Sequence, residues 1–159
     1  MEHFRFYDAD RFLRDRDDKL LMMSLRESIR RDDFVFYLQP QVREQTGRIA
    51  GAEALCRWHR GDQLINPGQF IPTLEKTGTI FEVDCLIWEK VAAWLQSGRL
   101  RGLPLLPVSV NVSQIDFFCT DIAEHFIALA KKYDIDPELL GIEITENGPF
   151  RSAQRLPAG

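Results

Sequence analysis

Pro107-Val108-Ser109-Val110-Asn111-Val112 is followed by a helix-patterned stretch from about Asp121 to Tyr133, and then by Leu140-Gly141-Ile142-Glu143-Ile144-Thr145. The two outer runs are short and rich in β-branched residues, so they read as strands. In the middle stretch Ile122, Phe126, Leu129 and Ala130 share one helical face, and Asp121 with Glu124 makes a capping pair. Lys131 and Lys132 fall in the last turn, where cations suit the helix dipole. Strand, helix, strand in this order predicts a parallel pair within an α/β sheet.

Upstream, Phe34–Leu38 reads as a strand closed by Pro40, Arg43–Arg48 as a turn around Thr46-Gly47, and Ile49–Trp58 as a second strand. The short connection predicts an antiparallel hairpin. Asn66-Pro67 opens a helix with Phe70, Ile71 and Leu74 on its apolar face, and Gly78 ends it. Val83, Leu86, Ile87, Val91 and Trp94 form the stripe of a further helix that Gly98 is expected to stop. Asp10–Arg31 reads as a helix with Leu21, Leu25 and Ile29 recurring every four residues. Asn147–Gly159 reads as a loose tail.

The chain has 159 residues, 45% hydrophobic and 28% charged, which suits one domain. A full (β/α)8 barrel needs roughly 250 residues. The net charge of −4 and the lack of a basic stripe argue against a duplex nucleic acid partner. Arg11–Lys19 mixes both signs and reads as a solvated face. Cys56, Cys85 and Cys119 lie far apart with no zinc spacing, an odd count that suits reduced thiols. Met1–Asp10 has no apolar signal segment, and no run reaches the ~18 residues of a membrane span. The expected location is the cytoplasm.

Unusual polar residues fall on the strands. Side chains alternate faces along a strand, so Glu53, Leu55 and Arg57 share one face of theirs, Ser109 and Asn111 one face of the next, and Glu143 opposes Ile142 and Ile144. Sites on parallel α/β folds gather at the C-terminal ends of strands, and Asn111 and Glu143 lie late in theirs. Two carboxylates and an amide oxygen are ligands for a hard cation such as Mg²⁺ or Mn²⁺. Each residue alone has a plainer reading: a rim carboxylate, an Arg57 ion pair with Glu53 or Asp62, an asparagine satisfying a loop backbone. Three on successive strands bring the cation reading level with the plain one. His59 and His125 have no ligand-like neighbour at metal spacing, and Trp58, Trp88 and Trp94 read as packing anchors.

These segments resemble the EAL domain family. Tyr37-Leu38-Gln39-Pro40 resembles the family's opening strand, Glu53-Ala54-Leu55-Cys56-Arg57-Trp58 carries the E-A-L-x-R-W signature, and Pro67–Pro72 with Glu75–Gly78 matches the following helix. Ser109–Ser113 matches the N-x-S strand and Glu143-Ile144-Thr145-Glu146 the E-x-T-E strand. The helix to Arg31 resembles the junction that joins a GGDEF domain to an EAL domain. The domain reading is therefore a linker helix over 1–32, the N-terminal part of an EAL domain over 33–146, and a tail over 147–159.

The resemblance implies a partial TIM-barrel-like fold, about four strands beginning with an antiparallel hairpin. It implies divalent-metal hydrolysis of cyclic di-GMP to pGpG. By position Glu53, Asn111 and Glu143 correspond to metal ligands, Gln39, Leu55 and Arg57 to nucleotide contacts, and Glu146 to a residue that braces the loop controlling metal binding and dimerisation. The family's D-D-F-G-x-G run and catalytic lysine segment have no counterpart here, so this chain alone is expected to be inactive, with Mg²⁺ or Mn²⁺ held weakly or not at all. The alternative is a non-catalytic module that binds cyclic di-GMP or a protein, as a homodimer or with a complementing EAL half, with a GGDEF domain upstream. A third reading is a fragment with no role of its own.

Overall fold

The computed structural model describes residues 20–21 and 23–145. Residues 23–31 are helical (α1) and bury Leu25 against the core, with Leu21 and Ile29 packed beside it. The earlier part of the predicted Asp10–Arg31 helix and the tail over 147–159 lie outside the described residues.

β1 (Phe34–Val42) and β2 (Ile49–Arg60) form the expected antiparallel hairpin. Arg43 N–H bonds Arg48 O at 3.0 Å across the turn, and Gly47 supplies its positive φ of 64°. Pro40 does not close β1; it lies within the strand opposite Ala52. β1 is an edge of the described sheet, where a residue without an N–H need not break a ladder.

A short strand that the sequence reading missed, β3 (Gln63–Ile65), folds back on β2. Trp58 pairs with both Phe34 and Ile65, so β3 lies on the side of β2 away from β1. That side also carries β4 (Val108–Ser113), parallel to β2 over Ala52–Ala54 only. β5 (Leu140–Thr145) then pairs in parallel with the whole of β4. The sheet order is β1-β2-β4-β5.

α2 (Pro67–Thr77) begins as the sequence implies. Asn66 Oδ1 accepts from Gly68 N–H at 2.9 Å, Gln69 answers by accepting from Asn66 N–H, and Gly78 ends the helix at φ 72°. α3 (Ile80–Leu100) runs past its expected stop at Gly98. A Cβ there would stand 2.7 Å from Leu105 Cδ2, so this glycine permits a close approach and leaves the helix unbroken. The chain turns at Gly102 instead, with φ 66° and Leu103 N–H bonded to Gly98 O. Trp94, expected in the buried stripe, is largely exposed and meets Phe36 edge-on; Trp88 and Leu95 take the buried positions.

After β4 come α4 (Asp116–Cys119), also unpredicted, and α5 (Ile122–Lys132), whose cap Asp121 accepts from Glu124 N–H at 3.0 Å. Glu89 of α3 is held by Lys132 and by the Tyr133 hydroxyl, which clamps α5 to α3. Phe34, Trp58, Val108, Val110 and Val112 meet α2 and α3 in one core, where Phe34 stacks on Trp58 and Phe70 packs edge-on to both.

Candidate functional site

The sheet face opposite this core collects the polar residues. Register places Glu53 beside Ser109, and Asn111 beside Glu143. The carboxylates do not bond their lateral neighbours. Glu53 reaches forward to accept from Asn111 Nδ2 at 2.9 Å, and Glu143 reaches back to accept from Ser109 Oγ at 2.5 Å. Two carboxylates thus straddle β4 on one face, each anchored to it. Because Asn111 spends its amino group on Glu53, its carbonyl oxygen is left as an acceptor directed elsewhere. The Asn111 backbone is fixed from the other side, where Trp88 Nε1 of α3 donates to its carbonyl at 3.0 Å.

Gln41 of β1 reaches the same carboxylate, its Nε2 3.0 Å from Glu143 Oε1. Gly51 lies opposite Gln41 on the intervening strand and places no side chain in the way. Gln39 lies opposite Glu53, exposed on the same face. Arg57 donates to Cys56 O at 2.8 Å and sits 5.7 Å from the centre of the Tyr37 ring, a cation–π contact. The plainer alternative, an ion pair of Arg57 with Glu53 or Asp62, does not form among the described residues. Glu146 lies outside the described residues.

β2 and β4 pair no further than Ala54 and Val110, and β3 takes the β2 edge only from Trp58 onward. A cleft of about 270 Å³ opens there, bordered by Glu53, Leu55, Arg57, Asn111, Ser113 and Asp84 among others. It lies at the C-terminal ends of parallel strands and the start of α3, the usual place for a site on such sheets. Burial pushes the Asp84 carboxyl up to about 9, and the charge of Asp116 beside it pushes the same way. Among the described residues no cluster of three or more His, Cys, Asp or Glu is placed to hold a metal, so any cation here depends on Asn111 as well as the two glutamates. His125 packs against the Trp88 ring and His59 lies beside Tyr37, as packing and rim residues.

Of the residues singled out from sequence, Glu53, Asn111, Glu143, Gln39, Leu55 and Arg57 all fall on this face or its cleft. Sequence reasoning put Ser109 on the polar face without a role and did not single out Gln41; these are the two donors to Glu143. Strand alternation held the signal, since Gln41 is two residues from Gln39 and Ser109 two from Asn111.

A model of the EAL domain family matches residues 22–157. The chain is 35% identical over 139 residues to a cyclic di-GMP phosphodiesterase of Pseudomonas aeruginosa, covering 86% of this chain and 23% of that protein. It is 28% identical over 153 residues to the bifunctional diguanylate cyclase/cyclic di-GMP phosphodiesterase MucR of the same organism, covering 93% of this chain and 22% of the relative. The chain therefore spans about a quarter of the length of these relatives. Among solved structures it is similar to the PaMucR phosphodiesterase in its c-di-GMP complex, with TM-score 0.73, 29% identity, and coverage of 83% of this chain and 54% of that one. The Xanthomonas citri FimX EAL domain, at TM-score 0.72 and 18% identity, covering 84% of this chain and 52% of that one, shares the fold. No helix among the described residues is long and apolar enough to cross a membrane.

Proposed function

This chain belongs to the EAL domain family, and from that premise we propose that its polar sheet face is the metal-binding and nucleotide-binding half of a cytoplasmic cyclic di-GMP phosphodiesterase site. The observation that carries the reading is the convergence on β4: Glu53 bonded to Asn111, and Glu143 bonded to Ser109, on one face beside the cleft. Three oxygen donors, two of them anionic, fit a hard cation such as Mg²⁺ or Mn²⁺. Glu53, Asn111 and Glu143 would hold it, and when bound it would activate water and stabilise the leaving oxygen of a phosphodiester.

Arg57 would meet a phosphate, because its guanidinium presents a planar fork of donors at the cleft wall. Leu55 and Gln39 would border the guanine-bearing end of the ligand. Gln41 and Ser109 would hold Glu143 in place before a cation arrives. Glu146 would brace the adjoining loop. The 159 residues contain no D-D-F-G run, and catalysis in this family draws on that segment, so this chain alone is expected not to turn over, with Mg²⁺ or Mn²⁺ held weakly or not at all.

The test is incubation of the purified chain with cyclic di-GMP and Mg²⁺ or Mn²⁺, following pGpG release and, separately, nucleotide binding by calorimetry. The expected result is binding that Arg57→Ala abolishes, with no pGpG. Turnover abolished by Glu53→Ala would overturn the claim of inactivity. Absence of both cation and nucleotide binding would overturn the site.

One observation favours a second reading, that of a module completed by another chain. Ile142 and Ile144 of β5 are 41% and 59% exposed, while Val110 and Val112 beside them on β4 are fully buried. An apolar strand face left bare suits a second copy or a complementing EAL half. Light scattering across a concentration series separates the readings, since an unchanging monomer excludes self-association. An upstream GGDEF domain is the further partner this reading carries.

A further inference from the structure

Asp84 and Asp116 come from different elements and are both buried, Asp84 one turn into α3 and Asp116 at the start of α4. Asp116 Oδ2 accepts from Ser113 N–H at 2.6 Å. Its Oδ1 is enclosed and has no hydrogen-bond partner among the described residues. A buried carboxylate oxygen left bare is costly, so a donor is called for. Asp84 lines the same cleft as Ser113, the residue that Asp116 caps, and the charge of Asp116 acts directly on it.

The charged groups acting on Asp84 are Asp116 from α4 and Glu75 from α2, and its own charge acts on the Cys56 thiol of β2 and the Cys85 thiol of its own helix. Arg57 and Lys90 act on the Cys56 thiol, and Lys90 is itself paired with Asp32 and the Phe34 carbonyl. The two charged groups that act most on Asp84, Asp116 and Glu75, are acids. Two carboxyls this close and this dry cannot both stay ionised.

We propose that Asp84 is a neutral acid that donates its O–H to Asp116 Oδ1, while Asp116 Oδ2 caps Ser113. The pair ties the first turns of α3 to Ser113 at the end of β4, two residues beyond Asn111. It borders the cleft through Asp84 and Ser113, so loss of the proton adds a second buried charge beside the proposed nucleotide site. It stands on the burial of both carboxyls, the partnerless Asp116 Oδ1 and the cleft that Asp84 shares with Ser113, and is independent of the phosphodiesterase reading.

The sign of its pH dependence follows. The folded-state carboxyl of Asp84 is raised to about 9 from 3.8, by burial first and Asp116 second. Its contribution to stability is full below about pH 3.8 and is lost as pH rises through about 9.

Infrared spectroscopy of the full 159-residue chain tests this without any variant. A carbonyl band of a protonated carboxylic acid is expected at neutral pH, disappearing as pH rises through about 9. Asp84→Asn keeps a donor aimed at Oδ1 and removes the titration. It is expected to lack the band and to hold its thermal midpoint at alkaline pH, where wild type falls. A wild-type spectrum with no protonated-acid band at neutral pH overturns the proposal, and so does an identical band in Asp84→Asn. Parallel stability profiles of the two proteins likewise overturn it.

Discussion

Gln41 Nε2 of β1 lies 3.0 Å from Glu143 Oε1 of β5, a hydrogen bond that joins the first and last strands of the sheet order across its polar face. In a flat sheet three strand spacings, each about 4.8 Å, would separate those backbones. The bond therefore reports a sheet already curled toward that face, with Gly51 and Ser109 small enough to let the two side chains meet above them.

Ser109→Ala removes the closer donor to Glu143. The expected loss of stability is about 1 kcal/mol, because the carboxylate keeps Gln41 and solvent as partners. If the cation reading holds, Mn²⁺ raises the thermal midpoint of wild type more than that of Ser109→Ala, and a chelator erases the difference. Differential scanning fluorimetry with and without Mn²⁺ measures both.

Gly51→Ala should cost about 1–3 kcal/mol by overpacking. Its Cβ would stand 2.8 Å from Pro107 O, a backbone atom held in place by Ala52 N–H at 3.0 Å. Urea unfolding reads the loss, and a midpoint equal to that of wild type would contradict the packing described.

Trp88 and Trp58 make a matched pair for substitution. Both are fully buried, yet Trp88 Nε1 bonds Asn111 O while Trp58 Nε1 has no partner among the described residues. Trp88→Phe takes the indole donor from the part-buried Asn111 carbonyl, and Trp58→Phe deletes an unpaired donor. Trp88→Phe should destabilise by about 1–2 kcal/mol more than Trp58→Phe, measured by chemical denaturation of the two variants side by side.

The three thiols should differ in reactivity. Burial pushes Cys56 and Cys85 up to about 12, with nearby acids adding to the shift, while Cys119 is exposed. A rise from 9.0 to about 12 leaves roughly 1,000-fold less thiolate at pH 8. Iodoacetamide at that pH should label Cys119 first, read by peptide mass spectrometry. Because these folded values exceed the unfolded one, the stability the buried thiols lend is present below about pH 9 and lost as pH climbs toward 12.

The strands and their polar face were legible because both rest on local alternation. β5 spans the predicted Leu140–Thr145, and α2 has the cap and stop that Asn66 and Gly78 imply. What escaped depends on distant partners. Pro40 sits inside β1 because that strand is an edge, and Gly98 sits inside α3 because Leu105 packs on it; neither neighbour is visible from local sequence. β3 spans only three residues, too few to show a period. Gln41 is a site residue only through curvature that brings β1 over β5.

β5 carries Glu143 and is backed by helices on only part of its length: Leu140 is buried, but Ile142 and Ile144 stand bare. Its amides should exchange with deuterium sooner than those of β2, which carries Glu53 between buried neighbours such as Ala54 and Trp58. One carboxylate of the face is thus mounted on a firm post and the other on a yielding one. Whatever comes to rest on Ile142 and Ile144 could tune the grip of Glu143 without touching the polar side at all.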